Sequence, residues 1–136
     1  MHGSLPPKHA THPHNSPAAA GFLDLLLFFC GRRMLMQVDG HSMEPALQPQ
    51  DRVLVKRWKS GRSAPLGQIV VAWHPHRSNL RMIKRLRWSD ANGFWLEGDN
   101  PDKSTDSRQL GWIDPDNLIG VVVGVISSQQ RSEKDV

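Results

Sequence analysis

The chain of 136 residues is expected to be a mostly-β domain, built from coiled antiparallel sheets or a partly open barrel, with one short N-terminal apolar helix. After Arg33 the apolar residues come in short runs punctuated by Gly, Pro, Asn and Asp, and no stretch holds a helical period over an ordinary helix length. Ser89-Asp90-Ala91-Asn92-Gly93 separates two of these runs and ends in Asn-Gly, which supplies positive φ to a tight hairpin. One cysteine cannot form an internal disulfide or a cysteine-cluster zinc site, so stability must come from a packed core or a partner.

Residues 1–17 hold Pro6, Pro7, Pro13 and Pro17 together with four of the seven histidines, and they offer almost nothing to bury. They are expected to be a disordered tail, and residues 128–136 a C-terminal tail. Ala18–Cys30 is the one long apolar run, interrupted by Asp24. It is shorter than the roughly 20 residues that cross a bilayer, so a full transmembrane anchor is not expected. Only Lys8 precedes the run and Gly31-Arg32-Arg33 follows it, which is a poor signal peptide. Phe22, Leu25, Leu26 and Phe29 share a helix face that Leu23, Leu27 and Phe28 widen. Residues 18–33 therefore read as a short apolar or amphipathic helix that packs on the domain or contacts a membrane surface through residues 18–30. The expected location is the cytoplasm, free or at the membrane surface; were the helix to enter a bilayer, Arg32 and Arg33 would hold the downstream side in the cytoplasm.

Residues 34–127 form the expected domain, with strands at Met34–Asp39, Arg52–Arg57, Gln68–His74, Leu80–Trp88, Phe94–Glu97 and Ile119–Ile126. The 17 Lys and Arg against 13 Asp and Glu leave a mild +4 that permits an anionic partner without demanding one. Arg81, Arg85 and Arg87, with Trp58 and Trp73 as stacking rings, would suit a nucleic-acid module. The preferred reading is a solvated face that keeps a sheet edge soluble, with no nucleic-acid partner.

Side chains alternate along a strand. One face of Leu80–Trp88 then carries Leu80, Met82, Lys84, Leu86 and Trp88, and Lys84 is the exception among large apolar residues. Burial would lower its pKa from about 10.4 toward the range of a general base, although a lysine stem can also snorkel to water. A serine able to use such a base stands at Gly40-His41-Ser42-Met43-Glu44-Pro45, where Gly40 permits an unusual φ and Pro45 stops a helical turn. A bend of this kind exposes Oγ and frees backbone N–H groups for an oxyanion. A third polar segment, Gly98-Asp99-Asn100-Pro101-Asp102-Lys103-Ser104-Thr105-Asp106-Ser107-Arg108, reads by itself as an Asx-rich connection.

Together these segments resemble the boxes of the signal peptidase I family of serine proteases. Gly40-His41-Ser42-Met43-Glu44-Pro45-Ala46-Leu47 is similar to its nucleophile box, continued by Gln50-Asp51-Arg52-Val53-Leu54-Val55 with Gln50 where a glycine is usual. Met82-Ile83-Lys84-Arg85-Leu86 resembles the lysine box, and Gly98, Asp99, Asn100, Ser104, Asp106, Ser107 and Arg108 match the third. The resemblance covers residues 34–127 and implies a signal peptidase I/LexA-like catalytic fold with a Ser/Lys dyad, no metal and no cofactor. It implies Ser42 as nucleophile, Lys84 as general base and Ser104 as the hydroxyl that orients the lysine. Asp106 and Arg108 would fix the loop around Ser104. Gly40, Met43 and Pro45 would shape the nucleophile turn and its oxyanion region. Some members add a serine hydroxyl two residues before the nucleophile, and Gly40 stands there instead.

The brief chain is most like the short branch regarded as maturation proteases for nickel-type superoxide dismutase, so the expected partner is a precursor protein with an N-terminal leader. The alternatives are a general signal peptidase, a LexA-type regulator cutting itself at Ala20-Gly21, and a basic binding module. His41 is expected to serve a subsite or the surface, and His74-Pro75-His76 a loop.

Overall fold

A computed structural model of the chain describes residues 5 and 16–128; the tails expected at 1–17 and 128–136 fall outside these, apart from Leu5, Ser16, Pro17 and Ser128. The β-branched and aromatic runs form strands β1 (Met34–Gln37), β2 (Arg52–Arg57), β3 (Ile69–Trp73), β4 (Arg81–Asp90), β5 (Gly93–Glu97) and β6 (Leu118–Ile126). They make one open sheet in the order β1-β2-β6-β3-β4-β5, antiparallel at every step. The last strand lies in the middle and joins the two halves of the chain. Register shifts at Leu54/Val55, Val71/Ala72 and Leu86/Trp88 bend and coil the sheet.

Alternation along β3 separates two cores. Val70 and Ala72 join Met82, Leu86, Phe94, Leu96 and Ile113, whereas Ile69 and Val71 join Val38, Met43, Leu47, Val53 and Val122. The turn that carries Ser42 is thus anchored by its own apolar residues: Met43 and Leu47 are buried in the second core on either side of exposed Pro45.

Several expectations are corrected. The helix, α1, spans only Phe22–Phe29. Residues before it are drawn into the sheet, because Ala19 bridges Val125 and Ala20 N–H donates to Val125 O at 3.2 Å. After it, the N–H groups of Gly31 and Arg32 close back on Phe28 and Leu27. No residue of α1 is buried, and Phe22 and Phe29 are 84% and 80% exposed. Among the described residues no helix is long and apolar enough to cross a membrane. In the β4–β5 hairpin Gly93 alone has positive φ, +120°, while Asn92 uses its N–H to bond the Asp90 carboxylate.

The arginines of β4 do not share one solvated face. β3 pairs with Arg81–Arg85 and β5 with Arg85–Asp90, so Arg85 is flanked on both sides and only 2% exposed, whereas Arg81 is exposed. Leu80 lies before the strand and is exposed, and Trp88 is half-buried beyond the bulge, so the apolar face is continuous only through Met82, Lys84 and Leu86.

Gln50, where the resembled family has glycine, adopts φ +72° and is exposed. A side chain in the left-handed region carries steric cost that glycine avoids. Gln50→Gly is expected to stabilise the fold by about 1 kcal/mol after the entropic penalty of glycine, read from the denaturant midpoint at unchanged m.

Candidate active site

Three segments far apart in the chain converge because β4 runs past the nucleophile turn while the loop after β5 folds over both. Lys84, in mid-strand, is 7% exposed, and its Nζ donates to Ser42 Oγ at 2.8 Å. Burial pushes the Lys84 pKa down; the nearby Asp106 carboxylate opposes this and the Arg108 guanidinium adds to it. A neutral amine at this separation has a lone pair within reach of the serine proton.

Ser42 follows Gly40, whose φ of +79° turns the chain out of β1. Its backbone N–H donates to no acceptor among the described residues, leaving it available to an oxyanion. Its carbonyl accepts the N–H of Asn100 at 2.9 Å, and Asn100 Nδ2 donates to His41 O at 3.1 Å. The His41 ring itself is exposed and bonds the Glu44 carboxylate, so it does not serve Ser42.

Asp106 organises the third segment. Its fully buried carboxylate accepts from Ser104 Oγ at 2.6 Å, Gly98 N–H at 2.8 Å, and the Nε and Nη2 of Arg108 at 3.0 and 2.6 Å. It also caps helix α2 (Ser107–Leu110). Burial alone would raise its pKa; the hydrogen bonds from Arg108, Gly98 and Ser104 outweigh that and hold it at about 2.

Ser104 is therefore placed differently from expectation. Its hydroxyl donates to Asp106, and no hydrogen bond joins it to Lys84. The carboxylate, with two oxygens and a full charge, is the stronger acceptor. Arg108 Nη2 also donates to Gly98 O at 3.1 Å, so Asp106 and Arg108 both bond the start of this loop.

Three supporting residues, Arg85, Gly98 and Asn100, had no role expected from the residues alone. Arg85, next to Lys84, sends Nε and Nη2 to the Asp99 carboxylate at 2.9 and 2.7 Å and Nη1 to Gly67 O at 2.8 Å. Asn100 holds the nucleophile turn, and Gly98 lets it come close. A Cβ on Gly98 would meet the Ser104 hydroxyl and lie 2.7 Å from Ser42 O. No local signal marked Arg85, because its partner Asp99 lies 14 residues further along the chain.

Gly98→Ala must push the loop off Ser42. It is expected to lower kcat/KM by roughly a hundredfold and to destabilise by about 1–3 kcal/mol, from steady-state assays and thermal unfolding.

Ser42 and Lys84 open onto a cleft of about 800 Å³, walled by Met36, Val53, Val71 and Ile83. Within the described residues no three His, Cys, Asp or Glu side chains gather as metal ligands, and His74 and His76 sit in the β3–β4 loop.

Residues 27–123, including all three converging segments, match the Peptidase S24-like family. The chain belongs to that family. No curated protein matches the sequence significantly. Membership in the S24-like family places the chain in the S24/LexA-like superfamily, fits its open antiparallel sheet and gives it a serine-peptidase type of function.

Proposed function

We propose that the chain is an endopeptidase with a Ser42/Lys84 dyad that removes an N-terminal leader from a precursor protein, of the nickel-type superoxide dismutase kind. The contact between Lys84 Nζ and Ser42 Oγ, with the lysine buried, carries this reading. Neutral Lys84 takes the Oγ proton as Ser42 attacks the scissile carbonyl, and the Ser42 N–H receives the oxyanion. The resulting ammonium gives its proton to the departing amine. Water then adds to the acyl-enzyme with Lys84 again as base, releasing the acid and restoring Ser42. Ser104, Asp106, Arg108 and Asn100 act by position: they hold the loop that fixes the turn of Gly40, Ser42, Met43 and Pro45.

Cleavage in trans has more support than self-cleavage at Ala20-Gly21. The Ala20 N–H is tied to Val125 O, and neither residue lines the Ser42 cleft.

The test is a panel of leader-bearing precursors that includes a nickel superoxide dismutase precursor and an exported protein, with Ser42→Ala as control. Selective cutting of the dismutase precursor at one site, lost in Ser42→Ala, supports the proposal. Preference for the exported protein overturns the substrate, and cleavage that survives Ser42→Ala overturns the dyad.

A further inference from the structure

The charged side chains lining the cleft are mostly cationic. Arg77, Arg81 and Lys103 line it, all exposed, and none forms an ion pair among the described residues. Asp39 is the sole carboxylate among the described residues that line it. By contrast, Arg85 and Arg108, which build the back of the site, each have a carboxylate partner.

The cations are held on a shaped support. His74 N–H bonds Leu80 O at 2.8 Å and closes the base of the β3–β4 loop. Within the loop, His74 Nδ1 accepts the N–H groups of His76 and Arg77, both at 3.0 Å. The backbone of Arg77 is therefore fixed before any ligand arrives. Arg81 opens β4 three positions ahead of Lys84, about 10 Å along the strand. Lys103 reaches the same cleft from the turn Pro101–Lys103. Cations that share a concave wall with so little counter-charge favour an anionic occupant, and a guanidinium matches a carboxylate in a fork.

From this we infer that the site takes peptides carrying acidic residues about three positions from the scissile bond, with Arg77, Arg81 and Lys103 as the specificity-determining groups. The inference rests on the peptidase reading and narrows its substrate class to acidic-flanked leader junctions.

Peptides with one alanine-rich centre, flanked on either side by three Glu or by three Gln, separate the two ideas. Binding is measured on Ser42→Ala by fluorescence anisotropy and cleavage on the wild type. The expected result is a roughly ten-fold preference for the Glu peptide on one flank, fading in high salt. In Arg77→Gln/Arg81→Gln the Glu-to-Gln ratio falls to about one, while Arg62→Gln, an exposed arginine outside the cleft, keeps it. Equal binding and cleavage of all peptides by the wild type overturns the acidic preference and leaves the peptidase standing. Selective binding of the Glu peptide without any cleavage supports the cationic subsite and counts against the peptidase reading.

Discussion

Lys84→Ala is expected to lower kcat by at least about a thousandfold, about as much as Ser42→Ala or the double variant, because a nucleophile and its base act as one unit. The wild-type rate should rise with pH through a midpoint below the ordinary lysine value, as burial lowers the Lys84 pKa. The same displacement makes stability depend on pH. Unfolded, the lysine keeps its proton up to about pH 10.4; folded, it gives the proton up sooner. Between these values the unfolded state binds more protons, so stability rises with pH, and below the folded value the cost of burying the lysine is complete. Lys84→Met, which leaves an apolar side chain of similar length, should therefore melt higher than the wild type at neutral pH. Its advantage should close as the pH approaches about 10.4. Thermal unfolding across pH checks this without a substrate.

Arg85→Met is expected to be the most damaging single change to the fold, at about 3–5 kcal/mol, because it strands a charge that is largely withdrawn from water. The Asp99 side chain is 12% exposed and receives two hydrogen bonds from Arg85, and Gly67 O would lose its donor in addition. Against a typical total of roughly 5–15 kcal/mol, this leaves the domain near its unfolding threshold. Asp99→Asn in the same chain should recover part of the loss, since the orphan is then neutral; a double-mutant cycle in denaturant measures the coupling. Activity should fall as well. Asp99 lies between Gly98 and Asn100, so the Arg85 pair ties the strand bearing Lys84 to the loop that holds Ser42.

Much of this arrangement was legible in the residues. The alternation of β4 put Lys84 on a buried face, and the breaks at Gly40 and Pro45 marked Ser42 as lying on a bend, because both signals are local in sequence. The illegible parts depend on partners distant in the chain. Arg85 falls on the opposite face from Lys84 and looked solvated, since nothing in a strand of alternating arginines says that β4 has neighbours on both sides or that Asp99 will meet it. Ser104 was expected at the lysine, yet Asp106, two residues on, offers its hydroxyl a charged acceptor. Helix α1 came out shorter because Ala18–Ala20 pair with β6, a competition that an apolar period cannot reveal.

The proposed dyad requires Lys84 to be a buried base beside Ser42, and the most direct measurement is the titration of that one amine. With lysine labelled at Cε, the Lys84 NMR signal is assigned by its loss in Lys84→Met and followed from pH 6 to 11. A midpoint clearly below about 10.4 is predicted, moving up when the site is opened by Gly98→Ala. A midpoint at the ordinary value, indistinguishable from the surface lysines, would contradict the dyad.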